Sequence, residues 1–257
     1  MLSTRNIHYQ AGGKKILQGI DVDFEPGSFH VIVGPNGCGK STFLKVFSGE
    51  LKPKEGTVTY DGKDVFKMDK AKLAQRRAVL SQQPALFFPL SVEEVVMMGR
   101  YPHFDFQPGP KDEAICAEAL KRADMADFME REYLTLSGGE KQRVQFARVL
   151  AQIWEQKDTT RYLFLDEAIS HLDLKHQLQL LTVARALSRE GVTVIAILHD
   201  LNLSMSFGDR ILFMKEGKMV AHVRDHAQVT TELIKEVFDV EVRIMRQGEG
   251  EAPVMVM

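Results

Sequence analysis

Gly34-Pro35-Asn36-Gly37-Cys38-Gly39-Lys40-Ser41-Thr42 is the stretch from which the rest of this 257-residue chain is read. An apolar β-like run, Phe29-His30-Val31-Ile32-Val33, precedes it, and a helix-compatible run, Phe43-Leu44-Lys45-Val46-Phe47, follows. Strand, G-x-x-x-x-G-K-[ST] loop and helix in that order make a phosphate-binding P-loop. A polyphosphate is densely negative, and backbone N–H groups surround it only where side chains do not intrude. Gly34, Gly37 and Gly39 permit that approach. The helix that follows aims its positive end at the same point. Lys40 brings a mobile charge for the β- and γ-phosphates, and Ser41 a hydroxyl for Mg²⁺.

Outside the loop, length suits one large α/β domain or a core with an inserted subdomain. Hydrophobic residues make up 44% of the chain, enough for a sizeable core. The formal net charge of -2 gives no basic footprint for nucleic acid. No run of about 18 apolar residues suggests a membrane span. Met1-Leu2-Ser3-Thr4-Arg5 has no signal-peptide apolar region, so a cytoplasmic location is expected. The two cysteines agree: Cys38 lies inside the phosphate loop, where a disulfide would obstruct a nucleotide.

Periodicity organises the remainder. Asn6-Ile7-His8-Tyr9, the Gly12-Gly13 turn and Ile20 to Phe24 predict short antiparallel strands. Gly56 to Tyr60, then Asp61-Gly62, predict a strand and a tight turn. From Pro84 onward helical patterns dominate up to Trp154, with Val144, Ala147, Leu150, Ala151 and Trp154 at helical spacing. Tyr162 to Leu165 and Thr193 to Leu198 are continuous apolar runs, the pattern of parallel strands buried on both faces. Between them Leu174, Leu178, Leu181, Ala184 and Leu187 form a helical stripe that Gly191 caps. Lys215-Glu216-Gly217-Lys218 links two apolar runs as a hairpin turn. The end of the chain reads as a turn over Gln247 to Glu251 before a short strand. The domain layout expected is 1–83 with 156–225 for a nucleotide-binding core with an antiparallel edge, 84–155 for a helical subdomain, and 226–257 for a C-terminal extension.

Two further elements bear chemistry. The run Tyr162-Leu163-Phe164-Leu165 ends in Asp166-Glu167, which places Asp166 beside the P-loop to hold Mg²⁺ and Glu167 next to the attacking water as general base. Leu136-Ser137-Gly138-Gly139-Glu140 opens a helix expected to begin near Lys141; its glycines expose N–H groups and Ser137 adds a hydroxyl. This last segment resembles the LSGGQ signature of ATP-binding cassette subunits, with Glu140 at the final position.

The resemblance covers about residues 3–245 and implies a P-loop NTPase (RecA-like) parallel-sheet core, an antiparallel β subdomain and an inserted α-helical subdomain. It implies ATP and Mg²⁺ as ligands, and two copies that sandwich two ATP head to tail, each signature facing the other copy's P-loop. Pro35, Asn36, Cys38 and Thr42 then join the phosphate-binding set. His199 resembles the switch histidine on the γ-phosphate, Gln82 the glutamine that senses Mg²⁺ and water, and Tyr9 the aromatic residue that stacks on adenine. Ser170-His171-Leu172-Asp173 resembles the loop that crosses the dimer interface. The chain departs from the family at Ala168, Ile169 and His171, where proline, a hydroxyl and alanine are usual. His171 adds a titratable ring near the implied interface.

One P-loop and one signature make a single cassette, which implies docking on separate permease subunits. Pro89 to His103 is similar to the segment beside the permease groove in importers of haem, iron-siderophore complexes and cobalamin. Ala147 to Trp154 and the link Glu155 to Arg161 are most similar to the haem group, so a haem importer is expected, with an iron-siderophore or cobalamin importer as the alternative. A periplasmic binding protein would take part indirectly, and the subunit would lie on the cytoplasmic face of the cell membrane. A soluble regulatory or repair ATPase and a monomeric P-loop kinase are the rivals; the near-neutral charge opposes the first, and the second leaves Leu136 to Glu140 without a task.

Overall fold

A computed structural model describes residues 1–81, 86, 88–155, 159–170, 172–245 and 253–256. In chain order the strands and helices are β1 (Leu2–Ala11), β2 (Lys14–Phe24), β3 (Phe29–Val33), α1 (Lys40–Phe47), β4 (Glu55–Tyr60), β5 (Lys63–Asp64), α2 (Lys70–Arg76) and β6 (Arg77–Leu80). There follow α3 (Val92–Met97), α4 (Pro110–Arg122), α5 (Gly138–Gln152), β7 (Arg161–Asp166), α6 (Leu174–Arg189), β8 (Val192–Ile197) and α7 (Leu201–Phe207). The chain closes with β9 (Arg210–Lys215), β10 (Lys218–Val223), α8 (Thr231–Phe238), β11 (Arg243–Met245) and β12 (Val254–Val256).

The main sheet runs in the order β10-β9-β3-β8-β7-β6. Its strands pair in parallel except for the β9–β10 hairpin at one edge. Every residue of β3, β7 and β8 is buried, as continuous apolar runs require. The pleat divides each run between two cores. Phe29, Val31, Leu163, Leu165, Val194 and Ala196 face the larger core, which includes the helices. Ile32, Tyr162, Phe164, Ile195 and Ile197 face the other, beneath the antiparallel sheet β2-β1-β4-β5. That second core is rich in rings: Phe47 lies 4.9 Å from Phe43, 5.1 Å from Phe24 and 5.3 Å from Phe164, centroid to centroid.

Between β6 and β7 lie the helices α3, α4 and α5. Ser91 caps α3 and forms a capping box with Glu94, whose carboxylate accepts the Ser91 N–H at 2.7 Å. Buried Arg100 ties this segment together, donating from Nε to Asp112 and from Nη1 to the Ala151 carbonyl, each at 2.8 Å. Glu155 completes the network with Arg100, His103 and Lys111. Burial alone would raise the Glu155 pKa, but a hydrogen bond from Lys111 and the surrounding positive charges hold it at about 2.

Two sequence expectations are corrected. The helix placed near Lys141 begins at Gly138, because Ser137 and Glu140 cap it reciprocally and so start the helix within the signature itself. Of the expected stripe on α6, Leu181, Ala184 and Leu187 are buried, but Leu174 is 65% and Leu178 39% exposed. Periodicity defines an apolar face and says nothing of how far along the helix the sheet covers it. Gly191 does follow the helix with φ 89°, as a C-terminal glycine should.

His30 lies within β3, 1% exposed, edge-on to Phe24, with Nε2 3.2 Å from the Glu25 carbonyl. Burial lowers its pKa from 6.5 to about 4. Charging it in the folded chain is costlier than in the unfolded one, so stability is lost as pH falls from 6.5 towards 4. The full loss is about 3 kcal/mol. A further loss follows from 4.5 towards 2 as Glu155 is protonated. Urea unfolding across pH 7 to about 4.5 is expected to show the first slope in the parent and a flattened one in His30→Phe; equal slopes would refute His30 as its source.

Candidate nucleotide-binding site

Parallel pairing places the C-terminal ends of β3, β7 and β8 along one edge of the main sheet. The P-loop leaves β3 there, Asp166 ends β7, and His199 follows β8. Crevices at such strand ends are where α/β sheets take ligands.

The loop itself is shaped by close backbone contacts. A Cβ on Gly34 would stand 2.2 Å from the Met214 carbonyl of β9, so only glycine lets the strand turn there. The β9–β10 turn then props the loop from below: Gly217 N donates to the Cys38 carbonyl at 2.9 Å, Gln18 N to Gly217 O at 2.9 Å, and Gln18 Nε2 to Glu216 O at 2.8 Å. A cavity of about 670 Å³ opens above it. Its walls are Pro35 to Thr42, Lys14, Lys15, Ile16 and Gln18 at the start of β2, the turn Lys215-Glu216-Gly217, and Glu167. Lys14, Lys15, Lys40 and Lys215 outnumber Glu167 and Glu216 in this lining, a positive field suited to a polyphosphate. Lys40 is buried and donates to the Gly34 and Pro35 carbonyls at 2.8 and 3.0 Å. Burial raises the Cys38 thiol pKa, against the pull of Lys40.

Asp166 is 8% exposed, and its Oδ1 has no hydrogen-bond partner among the described residues. Burial raises its pKa, a hydrogen bond with Ser41 opposes that, and the Glu167 charge reinforces it. A buried carboxylate with an unmatched oxygen beside a serine hydroxyl is a donor set that suits a hard divalent cation. Glu167 has a left-handed backbone, φ 51°, which in a non-glycine residue costs roughly 1–3 kcal/mol. Its carbonyl accepts from Ser170 N at 3.3 Å and Oγ at 2.9 Å, which fixes the turn. Glu167 Oε1 thereby stands 3.2 Å from His199 Nε2.

Ser137, Gly138, Gly139 and Glu140 lie elsewhere. They form the exposed or half-exposed start of α5, and none of them lines the cavity of their own chain. The Glu140 carboxylate is committed to the Ser137 cap, which lowers its pKa through hydrogen bonds from the Ser137 side chain and backbone. Gln142 ties α5 to the turn after Glu167 by donating to Ala168 O at 2.9 Å. Ala168 and Ile169, two of the departures from the family, are buried in the larger core. Asp173 caps α6, accepting from His176 N at 2.9 Å. Tyr9 sits on β1 opposite Leu17, packed against the ring-rich core and outside the cavity lining, where Ile16 stands instead. Gln82 and His171 lie outside the described residues. Sequence reasoning missed the cavity roles of Lys14, Lys15, Gln18 and the Lys215 to Gly217 turn. The Lys14-Lys15 pair beside a glycine turn was a usable signal; the hairpin gave none, since its contacts with the loop are remote in sequence.

Comparison with known proteins agrees with this geometry. Residues 17–170 match the family model described as ABC transporter. The chain is 42% identical to a hemin import ATP-binding protein of Gloeobacter violaceus, over 100% of this chain and 94% of the relative. It is likewise 42% identical to one of Pseudomonas fluorescens, over 100% and 99% of the two chains. Among solved structures it resembles a dimeric ATP-binding cassette in a post-hydrolysis state with ADP and Pi, at 28% identity and TM-score 0.75, covering 87% of this chain and 98% of that one. An ADP-bound cassette shares the fold at TM-score 0.80 and 23% identity, covering 93% and 97%.

Gly217 and Gly62 share φ +76°, but a Cβ on Gly217 would lie 2.2 Å from Ile16 O, while one on Gly62 meets nothing within 4 Å. Gly217→Ala is therefore expected to weaken binding of a fluorescent nucleotide at least tenfold, about 1.4 kcal/mol, and Gly62→Ala to leave it unchanged. Parental affinity in Gly217→Ala would show that the hairpin turn does not shape the loop.

Proposed function

The chain belongs to the ABC transporter family, and from that premise we propose that it hydrolyses ATP to drive haem import, as two copies docked on two permease subunits. Catalysis rests on one observation above all: Glu167 and His199 meet at 3.2 Å, with Glu167 in the wall of the P-loop cavity. The cargo rests on full-length relatives whose names specify hemin import.

In this mechanism the phosphates of ATP lie over the N-terminus of α1 and take hydrogen bonds from the loop backbone. Lys40 exchanges its contacts with the Gly34 and Pro35 carbonyls for β- and γ-phosphate oxygens. Ser41 and Asp166 would hold Mg²⁺, with Gln82 sensing it, and the ion would supply neutralisation of phosphate charge. Glu167 orients and deprotonates the attacking water, and His199 fixes the Glu167 carboxylate while reaching the γ-phosphate. Tyr9, on β1 next to the β2 segment that lines the cavity, would stack on a base that extends beyond the cavity wall. The Ser137 to Glu140 turn of the second copy caps the γ-phosphate with N–H groups and a hydroxyl, and Asp173 lies where the two copies cross. The exposure of that turn, away from its own cavity, supports a partner-supplied cap.

The permease contact is placed along residues 82–103. Phe88 and Tyr101, 70% and 59% exposed, are apolar rings that a permease helix would cover, with the 97% exposed Phe106 beyond them. No helix among the described residues is long and apolar enough to cross a membrane. From the import relatives we assign the transmembrane path to the permease, the cassette to its cytoplasmic face, and haem delivery to a periplasmic binding protein.

Glu167→Gln is expected to bind ATP, to dimerise with it, and to turn over at least about 100-fold more slowly. Substantial residual hydrolysis would reject Glu167 as the base. Cells without this chain are expected to fail on haem as sole iron source and to grow on siderophore iron; the opposite pattern would transfer the proposal to the siderophore importers.

A further inference from the structure

One side chain of the helix that follows His199 bonds both backbone groups of a residue in the C-terminal strand pair. Asn202 Oδ1 accepts from Met255 N at 2.7 Å, and Asn202 Nδ2 donates to Met255 O at 3.2 Å. Met255 lies in β12, opposite Ile244 of β11 in an antiparallel pair. In such a pair each residue turns both backbone groups either towards its neighbour or away from it. Since both groups of Met255 go to Asn202, this rung faces away from β11. The carboxamide stands where the next strand would, and satisfies an edge that would otherwise be unpaired.

This junction lies close to the catalytic pair. The helix α7 starts at Leu201, two residues after His199, with Asp200 as its N-cap. It has seven residues, too few to be stable without packing. Its position is therefore set by what touches it. Ser204 and Met205 are buried on its inner side. Leu201 and Leu203 share the margin of the larger core with Val242, Ile244 and Met255 of the C-terminal segment. Asn202, in the first turn, ties that segment to the backbone beside His199. The His199 side chain is itself 42% exposed, so packing around the ring does little to orient it. Its alignment with Glu167 therefore rests on the backbone at both sides: buried β8 and Leu198 before it, and the start of α7 after it.

We propose that Asn202 is a positioning residue for ATP hydrolysis: by gripping Met255 it lets the C-terminal hairpin fix the start of α7, and so holds His199 against Glu167. The proposal rests on the role given to His199 above. It assigns a function to a C-terminal segment of which no described residue lines the nucleotide cavity.

The test is Mg-ATP hydrolysis by the full chain and its variants. Asn202→Ala is expected to lower kcat about tenfold, with KM for ATP and nucleotide affinity unchanged, because the P-loop is untouched. Met255→Pro removes the donor to Asn202 without breaking the β11 pairing, since that N–H does not face β11, and it also removes the Met255 side chain from the core margin; it should again lower kcat with KM unchanged. In a His199→Ala background, Asn202→Ala should cause no further loss, which general destabilisation would not produce. Parental kcat in both single variants, a risen KM, or an undiminished loss in the His199→Ala background would overturn the proposal. His199→Ala at the parental rate would instead overturn the role of His199, and this proposal with it.

Discussion

Parallel pairing of β3, β7 and β8 is the constraint on which the site depends. It forces the ends of three strands to one edge of the sheet, and each end delivers a different part: the phosphate loop after Val33, the acid pair at Asp166-Glu167, and His199 beyond Ile197. The pairing is held by burial on both faces, with alternate residues of each strand committed to opposite cores. A slip of one residue would exchange the two cores and displace every catalytic group together.

Onto that edge the chain adds local strain and unmatched polarity. Glu167 is kept left-handed by the turn that Ser170 closes, and a buried oxygen of Asp166 has no hydrogen-bond partner among the described residues. Both are costly, and both make sense where a cation, a triphosphate and a water converge. The cavity is cationic and one-sided, whereas the signature turn points out into solvent from another part of the molecule. In the proposed mechanism a nucleotide held by one copy lacks a lid until a second copy supplies it, which would couple hydrolysis to association.

Much of this was legible in the sequence because it is local. Continuous apolar runs identified β7 and β8, the glycine spacing identified the phosphate loop, and Lys215 to Lys218 identified the β9–β10 turn. Less was legible where partners lie far apart in the chain. The support that Gly217 gives Cys38 links residues on opposite sides of the helical segment, and Asn202 reaches Met255 across β9, β10 and α8. The exposure of Leu174 and Leu178 likewise depends on how far the sheet extends beneath α6. Periodicity reports a face, while packing decides what covers it.

The central claim is that the triphosphate is gripped by the glycine loop of one copy and closed by the Ser137 to Glu140 turn of the other. A crystal structure of Glu167→Gln trapped with Mg-ATP tests it most directly. The account expects two nucleotides between two copies, each γ-phosphate within hydrogen-bond reach of the other copy's Ser137. A filled P-loop with no signature turn near any phosphate, in every copy, would contradict it.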